Sequence, residues 1–273
     1  MLKEMLANVR EKTPLIHNIT NYVTVNDCAN ILLACGASPI MADDIGEVEE
    51  ITSICTGLNI NIGTLNERTI ASMIAAGKKA NELDHQTVLD PVGAGASKLR
   101  TQTAKELLEK VKFSVIRGNI SEIKTLYLGS TSTKGVDADV ADFINKENLP
   151  QTVKFAKEFA KETGSVIVIT SAIDIVADAE TAYCIYNGDP IMSRITGSGC
   201  QLSAMMAAYI SANPGNTLQA ALACVCAMGL CGEIAKERMG EKDGNSTYRN
   251  YLIDAVYNLS PEDLEKGARY EIG

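Results

Sequence analysis

The chain contains no tryptophan, only four phenylalanines and only two histidines in 273 residues. A core without large aromatics must be filled by Ala, Ile, Leu, Val and Met, which suits small-residue helices packed on β-branched strands. His17 and His85 supply a zinc site poorly, and the eight cysteines include no Cys-x-x-Cys pair. Net basic charge is also missing: 25 Lys and Arg stand against 34 Asp and Glu, a balance of −9. That argues against a nucleic-acid partner, which needs a basic footprint. It leaves room for a phosphate ligand, because backbone N–H groups bind anions without Lys or Arg. MLKEMLANVREK at the start is amphipathic and has no apolar signal core. The uncharged run 200–232 is broken by Pro214-Gly215-Asn216 and reads as two buried helices, not a membrane span. Cysteines in apolar contexts behave as small hydrophobes and suit the reducing cytosol.

What is present is alternation. The hydrophobic period predicts helices over 2–11, 24–35 (stopped by Gly36), 47–55, 66–84, 101–111, 120–128 and 151–163. Between them lie apolar runs read as strands: 38–41, 58–63, 87–90, 113–116 and 165–169. A hairpin over 174–188 follows, then helices over 200–212, 217–239, 246–258 and 261–270. This order predicts an α/β fold with a mostly parallel central sheet covered on both faces. No disordered linker interrupts it and no repeat stands out, so 1–273 reads as a single domain. The charged stretch 131–150 reads as a lid or a surface excursion.

In open parallel sheets, ligands bind at the carboxyl ends of the strands. Five polar groups follow the expected strands: Met41-Ala42-Asp43-Asp44, Asn61-Ile62-Gly63-Thr64, Asp90-Pro91, Arg117-Gly118-Asn119 with Glu122, and Thr170-Ser171. Together they offer the carboxylates, guanidinium, hydroxyls and glycines of a phosphate and Mg²⁺ site. Each has a plainer alternative. Asp90-Pro91 can simply end a strand, Asp43-Asp44 can be a solvated turn, and Asn119 with Glu122 can form the capping box of helix 120–128.

The turn Thr196-Gly197-Ser198-Gly199-Cys200 is more specific. Glycines allow close approach of a ligand, and successive N–H groups at a helix mouth cradle an anion. It matches neither a Walker A loop nor a dinucleotide fingerprint. Its alternative is a close helix–strand crossing.

Four segments together resemble the hydroxyethylthiazole kinases, the thiamin-salvage branch of the ribokinase-like superfamily. They are PLIHNITNYVTVNDCANILLACGASPIMADD at 14–44, VLDPVGAGAS at 88–97, RGNISEI at 117–123 and TGSGCQLSA at 196–204. The resemblance implies transfer of the γ-phosphoryl of ATP, with Mg²⁺, to the hydroxyl of 4-methyl-5-(2-hydroxyethyl)thiazole. It implies a homotrimer with sites at subunit boundaries. Met41 and Asn21 would line the thiazole pocket, with Gly197 at the substrate hydroxyl. Gly197, Ser198 and Gly199 would form the anion hole. Arg117, Asn119 and Thr170 would contact ATP, and Asp90 and Glu122 would hold Mg²⁺. Cys200 stands where related sugar kinases carry the Asp read as a base. A helix N-terminus lowers a thiol pKa, whereas a neighbouring carboxylate such as Asp90 raises it. Cys200 is therefore read as a weak base or a pocket wall. Two other readings share the fold: an ATP- or ADP-dependent dehydratase of a hydrated nicotinamide nucleotide, and a non-catalytic nucleotide-binding subunit.

Overall fold

The structure is a computed structural model that describes residues 1–128 and 144–273. Its centre is a sheet of nine strands in the order β2-β1-β3-β4-β5-β6-β7-β8-β9. The first six of that order run parallel: β2 (Ser38–Met41), β1 (Leu15–Ile19), β3 (Gly57–Asn61), β4 (Gln86–Asp90), β5 (Val115–Asn119) and β6 (Val166–Thr170). The last three, β7 (Asp174–Ala177), β8 (Ala182–Ile185) and β9 (Tyr270–Ile272), pair antiparallel. The expected sheet and hairpin are both there.

Helices cover the two faces. On one lie α1 (Leu2–Lys12), α2 (Val25–Cys35), α8 (Ser198–Ala212), α9 (Thr217–Glu237), α10 (Asn245–Asn258) and α11 (Pro261–Gly267). Their core meets Ile16, Val88, Val115 and Val168 of the sheet. On the other lie α3 (Val48–Ile54), α4 (Glu67–Glu82), α5 (Lys98–Lys110), α6 (Ile120–Leu128) and α7 (Leu149–Thr163), against Leu58, Ile60, Leu89, Ile116 and Ile167. α8 and α9 are apolar almost all round because nearly every position is buried. α9 is long and apolar enough to cross a membrane, but most of it is buried inside the fold, as expected for a core helix. Gly36 ends α2 in the left-handed region at φ 99°, the expected C-cap.

Four expectations are corrected. β1 has no counterpart in the sequence reading, because His17 and Asn18 interrupt its apolar pattern. Both are buried and hydrogen-bonded: His17 Nε2 lies 2.8 Å from the Ala42 carbonyl and Nδ1 lies 2.9 Å from Thr52 Oγ1. β5 is shifted from 113–116 to Val115–Asn119, so Arg117 and Asn119 lie within the strand. β6 likewise extends through Thr170. Finally, the helix expected over 261–270 stops at Gly267, where a side chain would meet Leu230 at 2.6 Å. Arg269 then donates to both carboxylate oxygens of Glu233, at 3.0 and 2.7 Å, and steers Tyr270–Ile272 onto β8 as an edge strand. Most of the stretch 131–150, read as a lid or a surface excursion, lies outside the described residues. Its last residues form a turn leading into α7, with Ile144 N–H donating to Ser171 Oγ at 2.8 Å.

Candidate active site

Register assembles the site. Asn61 of β3 pairs with Asp90 of β4. One step beyond the pair Leu89↔Ile116, Arg117 of β5 comes beside Asp90, and Asn119 pairs with Thr170 of β6. Asn61, Asp90 and Arg117, separated by 29 and 27 positions along the chain, therefore stand side by side under the first turns of α8.

Asp90 is fully buried. Its Oδ2 accepts from Asn61 Nδ2 at 2.8 Å, from Ser203 Oγ at 2.8 Å and from Arg117 Nη1 at 3.5 Å. Oδ1 has no partner among the described residues. Burial pushes the Asp90 carboxyl up; the Arg117 guanidinium opposes this and the Glu122 carboxylate adds to it. Arg117 also donates to Thr170 Oγ1 at 2.7 Å, and its guanidinium lies against the backbone of Gly199. A Cβ at Gly199 would meet Nη1 at 2.6 Å, so no side chain fits there without moving the guanidinium. The glycine at 197 is required for a second reason: its φ is 88°, and a Cβ would run into Thr24 Cγ2.

α8 begins at this point with no side-chain cap, and the positive end of its dipole adds to the Arg117 charge. Two positive features thus converge on one edge with Asp90 as the buried counter-charge. The arrangement suits an anion.

Cys200 Sγ accepts from Asn21 Nδ2 and Asn61 Nδ2, each at 3.3 Å. Of the two opposing influences on this thiol, burial and the Asp90 charge dominate and push its pKa up. The protonated thiol is thereby favoured over the thiolate, against the Arg117 charge and the Thr24 and Asn21 contacts, which act the other way.

Other expected residues fall in two groups. Asn119 and Glu122 form the capping box: Asn119 N–H donates to Glu122 Oε2 and Glu122 N–H to Asn119 Oδ1, both at 2.8 Å. Glu122 Oε1 takes the Gly93 N–H at 2.8 Å. This plainer reading is thus observed, and it does not remove Glu122 from the edge it shares with Asp90. Asp43 and Asp44, in contrast, form an exposed turn in which Asp44 accepts from Gly46 N–H at 2.9 Å. Met41 is half-buried at the end of β2, beside Asn18. Ser203 and Thr24 went unforeseen. Ser203 carried a signal, as one of few polar side chains in the apolar run of α8, one turn after Cys200. Thr24 donates its hydroxyl to Asn21 Oδ1 at 3.0 Å, a contact with no sequence signature beyond proximity.

Mg²⁺ takes hard oxygen ligands and is usually held by one or two carboxylates plus substrate phosphates. The unpartnered Asp90 Oδ1 is such a donor, and Glu122 keeps lone pairs beyond its two N–H bonds. No group of three or more His, Cys, Asp or Glu side chains that could hold a metal ion occurs among the described residues. The set fits an ion that arrives with phosphate and not one caged by protein alone.

Phosphoryl transfer asks a protein for positioning and charge stabilisation more than for covalent chemistry. A mostly parallel sheet carrying this charged edge fits a kinase of the ribokinase-like class. The comparisons agree. The hydroxyethylthiazole kinase family model matches residues 6–262. A hydroxyethylthiazole kinase of Clostridium acetobutylicum is 69% identical over 99% of both chains. One of Clostridium tetani is 51% identical over 97% of this chain and 96% of its own. The solved structure of a hydroxyethylthiazole kinase from Pyrococcus horikoshii superposes with a TM-score of 0.88 at 33% identity, covering 100% of this chain and 98% of its own. The chain belongs to the hydroxyethylthiazole kinase family.

Proposed function

We propose that the protein transfers the γ-phosphoryl of ATP to the hydroxyl of 4-methyl-5-(2-hydroxyethyl)thiazole, yielding the thiazole phosphate for thiamin salvage. The observation that carries this reading is the uncapped mouth of α8 with the Arg117 guanidinium laid against Gly199.

Each part then has a task. Backbone N–H groups at Gly197, Ser198 and Gly199 hold the transferring phosphoryl, and Arg117 neutralises its oxygens. Thr170 holds the guanidinium and, with Arg117 and Asn119, meets the nucleotide phosphates. Asp90 and Glu122 would hold Mg²⁺, which when bound supplies positive charge at the phosphates. Met41 offers an apolar wall to the thiazole ring and Asn21 a polar anchor, the mix expected of a small-molecule site. Cys200 faces the acceptor hydroxyl. As a neutral thiol it gives little base catalysis, and the loose transition state of phosphoryl transfer makes the base less important.

The whole chain, 1–273, acts as one domain on this reading. Tyr22, Val23 and Ile45 are 79, 60 and 50% exposed, close in sequence to Asn21 and Met41. Apolar side chains exposed there support self-association around the substrate pocket, in line with a homotrimer. The eight free, buried cysteines support a cytoplasmic setting; the net charge of −9 speaks against a nucleic-acid partner, and the burial of α9 against a membrane one.

The test is ADP release from MgATP with the thiazole alcohol, against no-acceptor and hydroxymethylpyrimidine controls. Thiazole-dependent ADP that disappears with EDTA is expected. Tight ATP binding without thiazole-dependent release would discard this acceptor and bring the dehydratase and binding-subunit readings forward.

A further inference from the structure

We propose that Asn61 is the positioning residue of the site: one buried amide fixes both the Cys200 sulfur and the free oxygen of Asp90. The inference deepens the kinase reading and rests on it for its kinetic arm.

Backbone donors settle the orientation of the two asparagine amides. Gly63 N–H donates to Asn61 Oδ1 at 2.9 Å, so that atom is the oxygen and Nδ2 points the other way. Thr24 N–H donates to Asn21 Oδ1 at 3.1 Å, which orients Asn21 in the same manner. Asn21 Nδ2 then closes onto Asn61 Oδ1 at 3.0 Å. Both NH2 groups are thereby aimed at Cys200 Sγ, which receives one N–H from each.

Asn61 does more than Asn21. Its Nδ2 also donates to Asp90 Oδ2, so its two hydrogens go to Cys200 and Asp90 and its oxygen takes two donors. Nothing on this amide is left over, and the residue is 1% exposed. It has no second orientation that keeps its bonds. Asp90 is held asymmetrically as a result. Asn61, Ser203 and Arg117 all gather on Oδ2, which leaves Oδ1 as the oxygen without a partner among the described residues. Asn61 therefore acts through its neighbours: it selects which carboxylate oxygen faces the site and where the sulfur sits.

The experiment compares wild type, Asn61→Ala, Asn61→Ser, Cys200→Ala and the double Asn61→Ala/Cys200→Ala variant by steady-state ADP release and by urea unfolding. Misplacing a reacting group by an ångström costs up to about 10²-fold in rate. Asn61→Ala is expected to lower kcat by about that factor, with KM for both substrates within about threefold, the pattern of a lost transition-state interaction. Asn61→Ser, which keeps one donor, is expected to recover part of kcat. It also serves as the test variant if the alanine variant does not fold. A raised KM at unchanged kcat, or a folded variant with wild-type kcat, overturns the proposal.

Unfolding decides the geometry independently of turnover. Residues in one hydrogen-bond network are non-additive. The double variant is expected to lose less of its urea midpoint than the sum of the two single losses. Losses that simply add would overturn the shared web. Wild-type protein without thiazole-dependent ADP release would instead refute the kinase reading, and the unfolding comparison would still judge Asn61.

Discussion

Two helices begin at the same edge of the sheet, and they begin differently. α6 is closed by its own side chains, with Asn119 and Glu122 exchanging bonds with each other's backbone N–H groups. α8 starts at a left-handed glycine with no side-chain cap, next to a buried guanidinium. A capped start contributes stability, of order 1 kcal/mol. An uncapped start leaves N–H donors and the dipole unspent, and those are what an anion needs. The closed start spends its backbone donors on the fold, whereas the open start keeps them for a ligand.

The largest way to break this contrast is to fill the open mouth. Gly199→Ala pushes a methyl group into the Arg117 guanidinium. We expect kcat/KM for ADP release to fall by about 10²- to 10³-fold, the cost of disturbing preorganised donors at developing charge. A loss of less than about threefold would place the phosphoryl group elsewhere.

Cys200→Asp sharpens the contrast from the chemical side. The two amides that now hold a neutral sulfur would hold a carboxylate, and general-base help is worth roughly 10²- to 10⁴-fold where a base is limiting. We expect turnover to be kept or raised, by less than that range, because the hydroxyl proton leaves late. A large loss with Asp and none with Ala, in the same ADP assay, would remove the base role from this position.

The closed mouth should respond in the opposite currency. Asn119→Ala removes half of the capping box and is expected to cost about 1 kcal/mol in urea unfolding. Its turnover loss should be smaller than that of Gly199→Ala. Equal losses in turnover at both mouths would erase the distinction.

The smallest effect expected on turnover comes from a group whose titration changes stability beside the site. Burial pushes the Asp174 carboxyl up to about 7, against the Ser171 N–H and the Arg117 charge, which lower it. A raised carboxyl binds its proton more tightly in the folded than in the unfolded chain. Its contribution therefore favours folding at low pH and is lost as pH rises from about 4 toward 7. Asp174→Asn should flatten that fall and leave the protein more stable than wild type at pH 8. Parallel curves for the two proteins would contradict the assignment.

How far the sequence revealed this depends on the element. SVIVI and TVLD are apolar and β-branched, so β6 and β4 were plain. LIHNI was not, because two of its five residues are polar, and their buried partners, Ala42, Thr52 and Asn59, lie 25 to 41 positions away. β5 was misplaced because Arg117-Gly118 resembles the end of a strand. β9 was missed because its three residues are held by Arg269 and Glu233, a pair 36 positions apart. The site follows the same rule. Motifs pointed to Asp90, Arg117 and the 196–200 turn, but only register brings Asn61 between Asp90 and Cys200. Residues on a common motif are legible in one dimension, whereas residues joined by strand pairing are not.

The most direct measurement of the central claim is millisecond hydrogen exchange of the backbone amides at the two helix mouths, with and without MgATP and the thiazole alcohol. The account predicts that amides at 198–200, which have no side-chain cap, slow markedly on ligand binding, while those at 119 and 122, already bonded to side chains, barely change. Protection at 119 and 122 with none at 198–200, under conditions where nucleotide is bound, would contradict it.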